Sequence, residues 1–150
     1  MLNFSKTNSS DQDFVSLVEL LDADLKIRDG EDHEFYHQFN GIEDINFVVV
    51  AYSHNKAVGC GAIKELDTQR MEVKRMYVLP EERGNGFASS ILNELEQWAK
   101  HLGYERCVLE TGKMQPEAIA LYQKCGYQTI SNYGQYSGIE NSLCFEKIIQ

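Results

Sequence analysis

Two hydrophobic rhythms alternate along the chain. In residues 9–30, SSDQDFVSLVELLDADLKIRDG, the residues Phe14, Leu17, Val18, Leu21 and Leu25 recur at helical spacing. Ser10, with Asp13 three residues on, reads as the N-cap, and Gly30 as the stop. A second short helix is expected over EDHEFYHQFN, residues 31–40, with Phe35 and Phe39 on one edge. The pattern then changes to strands. INFVVVAY and AVGCGAIKEL flank the polar turn SHNK and predict a hairpin. In QRMEVKRMYVL, Met71 and Val73 alternate with Glu72 and Lys74. The alternation slips at residues 75–78, which predicts a bulge.

Ala88, Ile91, Leu92, Leu95, Trp98, Ala99 and Leu102 mark a long amphipathic helix closed by Gly103. ERCVLET is a strand, and QPEAIALYQKCGY a helix with Pro116 in its first turn and Gly126 at its end. YQTISNY and SLCFEKII follow as strands, and LNFSKT precedes everything as a first one. The order predicts a single mixed α/β domain over 1–150, built on one sheet.

At 150 residues, with 43% apolar and 25% charged positions, the chain is an ordinary globular one. No apolar run approaches the ~18 residues of a membrane span, and the start lacks a signal-peptide layout, so a cytoplasmic protein is expected. Cys60, Cys107, Cys125 and Cys144 are scattered and read as reduced, mostly core thiols. A net charge of −9 argues against a nucleic-acid partner. It fits simple solubility, or a pocket that attracts cations.

Two segments carry candidate chemistry. HEFYH, residues 33–37, matches H-E-x-x-H, the pattern that sets two zinc ligands on one helical face with a Glu as base. The context is poor. A metzincin needs Gly at 40 and His or Asp at 43, where this chain has Asn40 and Glu43. No metal is expected. The second segment is Arg83-Gly84-Asn85-Gly86-Phe87-Ala88, between a strand and the long helix. Its N–H groups, the helix N-terminus and Arg83 suit a phosphate. It is neither a Walker loop nor a dinucleotide fingerprint.

Residues 72–92, EVKRMYVLPEERGNGFASSIL, resemble motif A of the GNAT superfamily of acyl-CoA-dependent N-acyltransferases, [Q/R]-x-x-G-x-[G/A], through Arg83, Gly86 and Ala88. Residues 118–130, AIALYQKCGYQTI, resemble its motif B, A-x-x-L-Y-x-K-x-G-F, with Tyr127 in place of Phe. The resemblance implies a mixed sheet with two splayed strands, 71–78 and 105–111, flanked by helices. It implies acetyl-CoA in the splay, with pyrophosphate on Arg83 to Ala88 and pantetheine along the backbone of Met76, Tyr77 and Val78. Gln115 would stand near the pantetheine, where the family often has Asn. Lys124 or Arg83 would approach the adenosine phosphates.

The implied reaction is direct attack of a neutral amine on the thioester through a tetrahedral intermediate. A free alkyl amine has pKa about 10, so a proton must be removed first. Tyr122 is the candidate acid for the leaving sulfur; the plainer alternative is a packing tyrosine. Glu72 is the candidate base, through a water, against the alternative of a solvated strand residue. Glu110 is the second candidate. Many family members use only a chain of waters. His33, Tyr36 and His37 could form the acceptor wall, and Tyr133 and Tyr136, flanking Gly134, could close the pocket over a cationic amine. The expected acceptor is a primary amine on a small cationic molecule. A protein or peptide amine, or acyl-CoA binding without turnover, are the alternatives. Dimerisation is common in the family, so a homodimer is compatible with it.

Overall fold

The computed structural model describes residues 2–29 and 44–150. His33, Tyr36, His37 and the short helix expected around them lie outside the described residues, as do Gly30 and Glu43. The elements run β1 (Leu2–Thr7), α1 (Gln12–Asp29), β2 (Phe47–Ser53), β3 (Lys56–Glu65), β4 (Arg70–Val78), α2 (Phe87–His101), β5 (Arg106–Gly112), α3 (Pro116–Lys124), β6 (Gln128–Ile130) and β7 (Ser142–Ile148). Short 3₁₀ turns occupy Pro80–Glu82 and Gly134–Tyr136. One sheet takes all seven strands in the order β1-β2-β3-β4-β5-β7-β6. Among the described residues only β4 and β5 pair in parallel.

The first helix is capped one residue later than its sequence suggests. Asp11, not Ser10, accepts the Phe14 N–H at 3.0 Å through Oδ1, and its carbonyl accepts the Val15 N–H at 2.9 Å. A carboxylate there also meets the positive end of the helix dipole. Helix α1 buries Phe14, Leu17, Val18 and Leu21 against Val48, Val50, Cys60, Ala62 and Tyr77. Helix α2 covers the opposite face with Ile91, Leu92, Leu95 and Ala99. It lies close because β3 offers glycine beneath it. An added Cβ at Gly59 would stand 2.8 Å from Ile91 Cδ1 and 2.8 Å from the Tyr77 carbonyl oxygen.

The hairpin turn narrows to His54–Asn55, both at positive φ (52° and 65°), the two-residue geometry that matches strand twist. The bulge lies where the alternation slips. Cys60 faces Tyr77 and Ala62 faces Lys74, so Arg75 and Met76 together oppose Gly61. Arg75 sits at φ 61°, which costs a non-glycine residue about 1–2 kcal/mol. Its buried guanidinium donates from Nη1 to Asp22 Oδ1 at 2.7 Å, tying the bulge to α1. Strands β4 and β5 pair only through Arg70–Glu72 and Arg106–Val108, and then part.

Strand β6 is shorter than expected. The chain leaves the sheet after Ile130, and Asn132 Nδ2 donates to the carbonyls of Ile139 (2.9 Å) and Ser142 (3.1 Å), folding 131–141 back over the sheet. Helix α2 ends at His101, with Leu102 as its C-cap and Gly103 at φ 96°. The four cysteines are free thiols; Cys125 is half-buried and the others buried, with burial raising Cys60 and Cys107 to about 12. Among the described residues no helix is long and apolar enough to cross a membrane.

Gly59→Ala should destabilise the fold by about 1–3 kcal/mol, because the carbonyl it meets belongs to a paired strand that cannot step aside. Equilibrium urea unfolding checks this, and an unchanged midpoint would contradict the close packing of α2 on β3.

Candidate active site

The gap between β4 and β5 is the inner end of a trough. After β4 the Leu79 N–H pairs with the Val58 carbonyl at 2.9 Å, and the chain makes its 3₁₀ turn into the glycine loop. Gly84 and Gly86 take φ 84° and 78°. An added Cβ at either meets nothing within 4 Å, so glycine is needed there for backbone conformation, and the space in front is open. The first helical bond of α2 is Ser90 N–H to the Gly86 carbonyl at 3.1 Å, which leaves the N–H groups of its first turn without intrahelical acceptors. Arg83 turns back, donating from Nε to the Val78 carbonyl at 2.9 Å with its guanidinium 5.4 Å from the Tyr77 ring centre. Asn85 is exposed and donates to the Glu82 carbonyl at 3.0 Å.

Three adjoining cavities make the trough. The outer one is lined by Gly84, Gly86, Phe87, Ala88, Leu121 and Lys124. The middle one shares Val78, Arg83, Gly84, Ala88 and Leu121 with it, and adds Met76, Tyr77, Gln115, Ala118 and Tyr122. The inner one takes over at Met76, Gln115, Ala118 and Tyr122 and runs to Glu72, Lys74, Arg75, Glu110, Thr111 and Tyr136. Beyond Glu72 the edge of β4 that faces this gap has no strand partner among the described residues, while its other edge pairs with β3 up to Val78.

Tyr122 stands where the middle and inner cavities meet. It is 7% exposed, packed edge-on to Tyr127 at 5.8 Å and tilted against Phe145 at 6.2 Å. Burial raises its phenol above the ordinary value, with Cys125 and Glu110 adding to the effect. Tyr127, where the family pattern has Phe, uses its extra hydroxyl to donate to the buried Glu96 at 2.9 Å. Lys147 pairs with the same carboxylate at 2.8 Å. The departure from the motif is thus matched by a carboxylate on α2, and the ring still supports Tyr122.

At the inner end Glu72 is buried rather than solvated. Its Oε2 accepts from Tyr133 Oη at 2.7 Å, and Lys74 Nζ lies 3.9 Å from Oε1. Burial, then Glu72, raises the Tyr133 phenol; burial, then Glu110, raises that of Tyr136. The two tyrosines stack edge-on at 5.9 Å. Glu110 reaches the same cavity from β5. Tyr136 lines the cavity itself, whereas Tyr133 reaches it only through Glu72. One wall of the trough was not legible in the sequence. Leu21, Asp24, Leu25 and Arg28 of α1 line the trough, and no local motif marks them.

Comparison with known proteins agrees with this geometry. The model of the acetyltransferase (GNAT) family matches residues 14–127. An "IAA acetyltransferase" of Azospirillum brasilense is 41% identical over 106 residues, covering 69% of this chain and 68% of that one. A crystal structure from Klebsiella pneumoniae, assigned to the acyl-CoA N-acyltransferases, superposes with a TM-score of 0.84 at 30% identity, over 100% of this chain and 99% of that one. PaiA N-acetyltransferase from Thermoplasma acidophilum, solved in complex with coenzyme A, shares the fold at a TM-score of 0.72 and 18% identity, over 99% of each chain.

A raised phenol pKa has a definite sign. The stability that burial of neutral Tyr122 contributes is fully present below pH 10.0, the ordinary value, and is lost as pH rises through the folded value. In an ultraviolet titration, wild type and Tyr122→Phe should therefore show the same tyrosinate signal up to about pH 10. A group missing from the variant below that pH would contradict a dry Tyr122.

Proposed function

The chain belongs to the GNAT family of acetyltransferases and is an acyltransferase of the acetyl-CoA-dependent kind; from that footing we propose that it acetylates a primary amine on a small cationic molecule. The observation that carries the reading is one continuous trough from a phosphate-suited loop to two carboxylates on opposite strands. The loop N–H groups from Gly84 to Ala88, with Arg83 and Lys124 beside them, suit the pyrophosphate and adenosine phosphates. The unpaired edge of β4 at Met76, Tyr77 and Val78 suits an amide-bearing chain laid along it as an added strand. Gln115 and Ala118 form the facing wall. Acetyl-CoA, when bound, supplies an activated acetyl thioester.

Every remaining role falls to groups of this chain and to solvent. Glu72 and Glu110 attract the ammonium form of the acceptor and take its proton, directly or through a water. A backbone N–H near Val78 donates to the developing oxyanion. Tyr122, whose buried phenol stays protonated at neutral pH, lines the inner cavity. A thiol has an ordinary pKa of about 8.5, below that of this phenol, so full proton transfer from Tyr122 to a thiolate runs uphill. Its role is to donate a hydrogen bond to the leaving sulfur, with the proton completed from solvent. The cover of Tyr133 and Tyr136 over the carboxylates favours a small acceptor above a protein one.

Acetyl-CoA at about a hundred times its Kd should stabilise the fold by about 2.7 kcal/mol in a thermal scan. Stabilisation by zinc alone, after chelator treatment, would instead return residues 33–37 to the centre. In an amine panel, Tyr122→Phe should keep acetyl-CoA affinity and lower kcat by about a hundredfold, the cost of losing one hydrogen-bond donor to developing charge. Lost affinity with unchanged kcat would make Tyr122 a packing residue. No turnover on any amine, with binding intact, would favour a sensor.

A further inference from the structure

We propose that Arg28 is a ligand for the phosphates of the bound acyl-CoA and that Glu117 holds it in place until they arrive. The inference rests on the acetyl-CoA reading above. Arg28 lies at the end of α1 and Glu117 in the first turn of α3, 89 positions apart, on opposite walls of the middle cavity. Arg28 Nη1 donates to Glu117 Oε2 at 2.9 Å and Nη2 to Oε1 at 3.4 Å, while Nε lies 3.4 Å from Asp24 Oδ2. The hydrogen bond from Arg28 holds the Glu117 carboxyl below its ordinary range, so the pair is fully ionised.

Arg83 and Gly84 line the same cavity, which sets this pair beside the glycine loop. A pyrophosphate on that loop brings negative charge towards Glu117. Two anions then compete for one guanidinium, and a phosphate offers its planar fork the same bidentate geometry as a carboxylate. The exchange is easy, because an ion pair with its carboxylate side chain 69% exposed is weakly held. The need is real in a chain of net charge −9, where Arg83 already commits Nε to the Val78 carbonyl.

Titration calorimetry with acetyl-CoA at low salt tests the exchange by its signs. Arg28→Gln should weaken binding and Glu117→Gln should tighten it, each by about two- to fivefold. Both effects should vanish with S-acetylpantetheine, which carries no phosphate. If Glu117→Gln weakens binding as Arg28→Gln does, or if the effects persist with S-acetylpantetheine, the pair only braces α1 against α3 and the inference fails. Absence of acetyl-CoA binding by wild type would instead overturn the functional reading beneath it. Both substitutions sit on the surface, and thermal scans without ligand confirm that the variants fold.

Discussion

Three residue pairs hold β4 to β5, and where they stop the site begins. The cause is local. Arg75 and Met76 crowd opposite Gly61, which adds one residue to β4 and turns it away from β5. Strand β5 continues along β7 as far as Gly112, so the two parallel strands diverge instead of bending together. The left-handed backbone at Arg75 is costly, and two contacts oppose its relaxation: the buried ion pair to Asp22, and the Cys60 thiol donating to the Arg75 carbonyl at 3.4 Å. The strained residue thus anchors in α1, the helix that also walls the trough. An unpaired backbone edge and an open wedge follow from that one extra residue, and Glu72 and Glu110 line the wedge from its two sides.

The two faces of the sheet divide the work. Under α2, glycines on β3 allow close packing, and a dry cluster of aliphatic side chains supplies most of the burial. Apart from Glu96 on α2, the buried charged side chains lie on the α1 face. Glu72, Arg75, Tyr133 and Tyr136 are buried or nearly so, and a polar group there is costly unless it finds a partner. Tyr133 supplies one for Glu72, and Asp22 one for Arg75. Burial raises the tyrosine phenols here above their ordinary value and, separately, brings the Cys144 thiol to about 11, so these groups stay neutral while the carboxylates face the cavity.

Support for the site also comes from behind. Glu96 on α2 gathers the Tyr127 hydroxyl and the Lys147 ammonium from α3's exit and from β7. Tyr127 in turn packs against Tyr122. The rigid network lies on the core side, while the exposed Arg28–Glu117 pair lies on the open side. A tight support and a loose rim together suit a cleft that must admit a long charged ligand.

The sequence by itself determined what is encoded over short range. Helical spacing in 14–25 and 88–102, the alternation of Met71 to Lys74 and its slip at 75, and the glycines at 84 and 86 each depend on neighbours a few residues away. They carried the strand and helix order, the bulge and the phosphate-suited loop, and the two motifs carried the family. Tertiary structure decided what depends on distant partners. Asp11 caps α1 because it reaches the Phe14 N–H, where the sequence pattern points to Ser10. Glu72 became a buried carboxylate only when Tyr133, 61 positions away, came to lie on it. Arg28 met Glu117, 89 positions off, only when α1 and α3 came to wall the same cavity. Side-chain periodicity fixes which face a residue takes; only the packed sheet fixes which distant group it meets there, and burial and charge follow from that meeting.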